Sequence, residues 1–292
     1  MRKTSLFLLL FVFWLTSCRL NTPLPPFTPS VAPSPTPLLP TATPVPAAAL
    51  VNGEPILLAD FQAELQRFRQ AQEAEGRPFN EGEARQVVLD ALINEMLLAQ
   101  AAHQAGFQAT DALVQSRIEA LTAQLGGQDA ILNWMSTYGY DEVSFRRALQ
   151  RSIEAAWMRD QIVAKVPAEA EQVHAQQILF YNEQEAQLAW QALQNGTAFE
   201  DLARQYDPLT AGDLGWFPRG YLLEPVVEEA AFNLKPGEYS GVLKSETGFY
   251  LVKVLDRALH PLSPQARRLL QQKALQEWLQ QRREQSQIQI IP

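Results

Sequence analysis

Side chains equipped for chemistry are sparse in this chain. Among 292 residues there is one cysteine, Cys18, and three histidines, His103, His174 and His260, far apart in the sequence. A single cysteine closes no intrachain disulfide and builds no cysteine zinc site, and histidines so dispersed offer no metal-ligand spacing. There is no nucleophile elbow, no HExxH helix and no serine with an evident histidine base, so hydrolysis lacks its machinery. The chemistry to look for therefore needs neither a metal nor a cofactor. The formal charge of -8 is interspersed and leaves no basic patch, which argues against nucleic acid as a partner.

Cys18 has its own context. Met1-Arg2-Lys3-Thr4 is a short basic start, and Leu6 to Leu15 is an uninterrupted apolar run. That run is too short for a membrane-spanning helix, which needs about 20 residues, and suits the apolar region of a signal peptide. Leu15-Thr16-Ser17-Cys18 resembles the lipobox of bacterial lipoproteins, which implies lipidation at Cys18 and an extracytoplasmic chain held at a bacterial membrane. Residues 19–49 follow as a Pro-rich linker: half of the 20 prolines lie between Pro23 and Pro46. Such composition favours extended polyproline II, and roughly 30 residues at about 3.1 Å each give a tether of up to about 90 Å.

The elements that would position any site begin near Leu50. Ala49 to Ile56 reads as two short strands about an Asn52-Gly53 turn. Helices are predicted from an N-cap at Asp60, over 83–105, 110–125, 129–138 with Asp129 as cap, and 141–165 with Asp141 as cap. A last helix starts with Ser263 as cap and Pro264 at its first position, and carries Leu270, Ala274, Leu275, Trp278 and Leu279 on one side. It is expected to pack back on the N-terminal helices, with 287–290 as an edge strand. Between these helices, residues 172–181 read as a strand, 183–194 as a helix and 197–205 as a second helix capped by Thr197. A turn at 212–217 then leads into a strand, followed by a helix over 224–233 and strands over 238–243 and 248–256.

Two stretches resemble known families. Val51-Asn52-Gly53-Glu54-Pro55-Ile56 followed by helices is similar to the N-terminal domain of SurA- and PrsA-type extracytoplasmic chaperones. The central block resembles a parvulin domain through AQQIL at 175–179, GTAFEDLA at 196–203, GDLGWFPRG at 212–220, EEAAF at 228–232 and the segment Leu234 to Val254. The resemblance implies an α+β fold: a parvulin-like domain over 170–258, a small antiparallel sheet with surrounding helices, inserted in a mainly α-helical chaperone-like domain made of 50–169 plus 259–292.

A parvulin-type prolyl isomerase breaks no bond. It lowers the barrier of about 18–20 kcal/mol set by amide resonance, so it needs an apolar seat for the proline ring and polar groups matched to the twisted amide. The resemblance places the seat at Leu214, Leu222 and Val226, with Trp216 and Phe217 nearby. Val226 stands where the family often has a larger side chain. The polar network falls on Gln177, Asp207, Ser245, Thr247 and Tyr250, with Gln177 and Tyr250 at the positions of the family's two histidines and a shortened loop from Asp207 to Gly212. His174 lies three residues before Gln177, an odd offset that turns its side chain to the other face of the strand. Two functions follow: an isomerase acting on unfolded or extended polypeptides containing Xaa-Pro, or a non-catalytic holdase that only binds such segments.

Overall fold

The computed structural model describes residues 46–292. The predicted signal segment, Cys18 and nearly all of the expected linker lie outside the described residues. Among those described, no helix is long and apolar enough to cross a membrane.

Folded chain starts slightly before the expected linker ends, in β1 (Ala47–Val51), which pairs antiparallel with β2 (Glu54–Leu57). The chain passes directly into α1 (Leu58–Ala74), then α2 (Glu81–Gln104), α3 (Asp111–Leu125), α4 (Gln128–Thr137) and α5 (Glu142–Val163). Caps explain several boundaries. Asp141 and Ser144 form a reciprocal capping box on α5. Two expected caps are corrected. Because β2 runs straight into α1, Leu57 is the N-cap and Asp60 falls in the first turn, where its carboxylate takes Arg147 at 2.7 Å. Likewise Gly127 caps α4, which leaves Asp129 inside the helix.

The sheet of the central domain follows: β3 (Glu169–Phe180), α6 (Glu183–Gln194), α7 (Phe199–Tyr206), β4 (Asp213–Pro218), α8 (Pro225–Asn233), β5 (Leu243–Lys244) and β6 (Phe249–Pro261). Its antiparallel order is β4-β3-β6-β5. Ala198 rather than Thr197 caps α7, and with no side-chain bond. The strand expected over 238–243 shrinks to β5 plus an isolated bridge, Tyr239 to Lys253. The reason is local: the Ser240 hydroxyl accepts from Val252 N at 3.0 Å, displacing a main-chain carbonyl from the ladder. The β3–β6 ladder runs from Glu169↔Pro261 to Phe180↔Phe249, so the chain enters and leaves this domain side by side.

It then continues into α9 (Pro264–Glu284), capped by Ser263, and β7 (Ile288–Ile290), which pairs with β1. Leu275, Trp278 and Leu279 of α9 pack on Leu98, Ala155 and Ile162 of α2 and α5. Arg283 ties α9 to α2 through Asp90 at 2.9 Å and Asn94 at 2.7 Å. The fold is α+β, with a parvulin-like sheet domain carried between helices that close on one another.

Candidate functional site

Strand β3 divides its side chains between two cores. Val173, Ala175 and Leu179 pack with Phe217, Val227, Tyr250, Val252 and Val254 on the α8 side. Ile178 and Phe180 pack with Leu251 and the helices α6 and α7 on the other. Gln177 therefore points to the α8 side, where it lines a cavity of about 630 Å³. His174 points the opposite way, its ring tilted against that of Trp216 at a centroid distance of 5.5 Å and bonded through Nε2 to Asp213 at 2.8 Å.

The cavity floor is apolar: Leu214, Leu222 and Val227 line it, with Tyr221 and Leu223 on the same loop. Two of the five expected pocket residues are thus present. Val226 packs half-buried on the adjoining core while its neighbour Val227 takes the lining position. Phe217 is entirely buried beneath the cavity. Trp216, one position away on β4, faces the other side of the sheet, its ring centroid 4.1 Å from that of His260. The period-two alternation of a strand allows only one of this pair to face the cavity side.

Among the described residues, three of the five expected polar residues form a connected chain. Ser245 Oγ donates to Glu224 Oε2 at 2.8 Å and Thr247 Oγ1 donates to Glu224 Oε1 at 2.6 Å. Tyr250 Oη lies 2.8 Å from Thr247 Oγ1. A hydroxyl has one proton, so with that of Thr247 committed to the carboxylate, Tyr250 donates to Thr247. Glu224, which lines the cavity, anchors the chain. Bonds from Thr247 and then Ser245 hold its carboxyl below the usual 4.5, so it is an anion at neutral pH.

Asp207 does something else. Its carboxylate accepts from Leu209 N and Thr210 N, both at 3.1 Å, from Gly212 N at 3.2 Å, and from the Thr210 hydroxyl. The Thr210 hydroxyl and then the Thr210 amide pull its pKa to about 2. These bonds fold the 207–212 loop onto β3, where Gly212 O accepts from Gln177 N at 2.9 Å. Asp207 is therefore a positioning residue; among the described residues no hydrogen bond joins it, or the Gln177 side chain, to the Glu224 chain.

Two further carboxylates shape the site. Glu224 precedes a helix-starting proline and looks like an ordinary cap, yet makes no side-chain capping bond. That leaves it free for the hydroxyls. Glu228 accepts from Gly220 N at 2.6 Å and from Tyr221 N and Leu222 N, each at 2.9 Å, which fixes the wall of the cavity. Adjacent main-chain N–H groups turned to one carboxylate form a rigid nest.

A second, larger cleft of about 1100 Å³ opens among α1, α2 and α5, lined in part by Trp134, Tyr140, Phe145 and Trp157. Trp157 stacks on Phe107 at 4.7 Å, and Arg67 lies 4.2 Å over Tyr140. The cleft is amphipathic, because Asp60, Glu64, Arg147 and Arg151 share its walls.

Residues 41–133 match the family model of a SurA-like N-terminal domain, and residues 168–262 match that of a PPIC-type PPIASE domain. The foldase protein PrsA of Caldanaerobacter subterraneus is 26% identical over 241 residues, 70% of this chain and 72% of that protein. The chaperone SurA of Bordetella avium is 35% identical over 148 residues, 43% of this chain and 29% of that one. The foldase protein PrsA of Bacillus subtilis is 34% identical over 85 residues, and this match spans only 29% of its length. The crystal structure of the peptidylprolyl isomerase PrsA from Bacillus cereus covers 82% of this chain and 89% of its own, at 21% identity and a TM-score of 0.47. The chain joins a SurA-like N-terminal domain to a PPIC-type peptidyl-prolyl isomerase domain, with PrsA and SurA foldases as its relatives.

Proposed function

We propose that the chain is an extracytoplasmic foldase, tethered through lipidated Cys18, whose sheet domain isomerises Xaa-Pro bonds in unfolded polypeptides and whose helical cleft holds them. The domain limits that go with this reading are 1–18, 19–49, 50–169 plus 259–292, and 170–258. The observation that carries the catalytic part is the joining of an apolar cavity to a polar chain at Glu224. Leu214, Leu222 and Val227 offer the ring its seat. Rotation about the Xaa-Pro bond makes the prolyl nitrogen pyramidal and basic, and the Gln177 amide, at the cavity wall, supplies N–H donors for that nitrogen. The Tyr250–Thr247–Glu224 chain reaches the cavity at Glu224, which lines it. Glu224 fixes the direction of that chain, so this wall of the cavity keeps its polarity as the amide twists.

Two observations favour the holdase alternative. Gln177 and Tyr250 occupy the positions assigned to histidines, and the aromatic cleft of the helical domain is larger than the cavity. A protease-coupled assay on a panel of Xaa-Pro peptides separates the two readings. Isomerisation faster than the solvent rate, lost in Leu222→Ala, supports the enzyme. The uncatalysed rate with every peptide leaves only the holdase. For the anchor, Cys18→Ser is expected to shift the protein out of the membrane fraction or block its processing; unchanged mature protein at the membrane would contradict lipidation.

A further inference from the structure

The cavity is not built by the PPIC-type domain alone. Four of its lining residues, Gln265, Arg268, Leu269 and Gln272, belong to α9. Their spacing of i, i+3, i+4 and i+7 is one stripe of a helix. The neighbouring stripe is what docks α9: Ala266, Leu270 and Ala274 pack with Val166, Leu262 and Tyr221. Lys273 Nζ donates to Gly220 O at 2.5 Å, which holds α9 against the Glu228-pinned wall. At Gly220 a Cβ would lie 3.3 Å from Leu270, so helix and loop are in close contact. The cavity-facing stripe is left open, and three of its four members are polar.

The charges are uneven. Among the described residues Arg268 is the one cation of the lining, and it is exposed. The one carboxylate, Glu224, already accepts from two hydroxyls. The ion pair that α9 makes, Arg283 with Asp90, lies at its far end. Arg268 therefore faces the space that a peptide would enter while the opposite charge across the cavity is engaged.

We propose that α9 completes the prolyl site from outside the PPIC-type domain. Leu269 closes the apolar seat, and Arg268 selects client segments with a carboxylate side chain beside the proline. The proposal rests on the reading of this cavity as the prolyl site. It makes client choice depend on how α9 is docked, a dependence an isolated sheet domain would lack.

The test uses the full chain and three peptides that differ only before proline: Glu-Pro, Gln-Pro and Lys-Pro. Affinity is followed by NMR titration, and isomerisation by exchange spectroscopy in the same tubes. An exposed charge pair gives a modest preference, so Glu-Pro is expected to bind about two- to fivefold tighter than Gln-Pro, with Lys-Pro weakest. Arg268→Gln should level the three, and Arg268→Glu should reverse the order. If the charge reversal does not fold, the wild type still decides: the preference must collapse at high salt. An unchanged order in Arg268→Glu, or a preference indifferent to salt, overturns the proposal. Binding without catalysis on any peptide sinks the isomerase reading and leaves the affinity order to decide Arg268. Failure of every peptide to bind overturns both.

Discussion

Glu228 offers the sharpest test of how the cavity wall is made. Its two oxygens take three consecutive main-chain N–H groups, of Gly220, Tyr221 and Leu222, at 2.6, 2.9 and 2.9 Å. Glu228→Gln keeps the side chain's length but replaces one acceptor oxygen with an amide donor, which faces N–H groups that are donors too. Each net hydrogen bond contributes about 1 kcal/mol, and more to a charged acceptor. The wall is half-buried, so water replaces part of what is lost, and the total cost is about 2 kcal/mol. For a protein of this size that corresponds to a fall in melting temperature of roughly 4–8 °C, since about 1 kcal/mol is worth 2–4 °C. The loop also carries Leu222 into the cavity, so affinity for an Ala-Pro peptide should drop at a temperature where the variant is still folded. Calorimetry and peptide titration read the two effects separately. A variant that melts with the wild type and binds the peptide equally well would refute the nest as the source of the wall's shape.

Three further outcomes are expected. Gly212 has φ +69°, and a Cβ there would sit 1.8 Å from Gln177 O, so Gly212→Ala must push the loop off β3. It should reduce isomerisation at least as much as Gln177→Ala; wild-type activity would contradict the loop's role. The Asp207 carboxyl is lowered from 3.8 to about 2, so its contribution is complete above about pH 4 and lost as pH falls towards 2. The amide resonances of Thr210 and Gly212 should hold their positions to below pH 3, and a midpoint near 4 would refute that contact. In the helical cleft, burial and then the nearby Glu64 raise the carboxyl of Glu95, against an opposing pull from Arg151. A raised carboxyl destabilises the folded state once it ionises, so Glu95→Gln should raise the melting temperature at pH 7 and lose that advantage as pH falls; equal melting at pH 7 would contradict it.

Local signals in the sequence were legible where one residue decides the outcome. Ser263-Pro264 starts α9 and Asp141 starts α5, because a capping side chain followed by a compatible first turn has few competitors. Asp60, Asp129 and Thr197 misled for the complementary reason: each lies within three residues of the true cap, and the end of β2 and Gly127 set the first two boundaries instead. The alternation of β3 placed Gln177 and His174 on opposite faces, whereas Trp216 and Phe217 could not be told apart without knowing which face β4 turned to the cavity. Glu224 was hidden because its partners, Ser245 and Thr247, lie 21 and 23 residues away across the sheet. The α9 wall was less legible still. It depends on the long β3–β6 ladder returning the chain to its starting point, and no local pattern in Gln265 to Gln272 announces that docking.

The central claim is that the cavity at Gln177 and Glu224 turns Xaa-Pro bonds. Exchange spectroscopy on an Ala-Pro peptide with the full chain measures this directly, because uncatalysed isomerisation takes tens to hundreds of seconds and gives no cross-peaks on the sub-second scale. The wild type is expected to give cis–trans exchange cross-peaks, weakened in Gln177→Ala and in Glu224→Gln. A spectrum without cross-peaks, from a folded chain that binds the peptide, would contradict it.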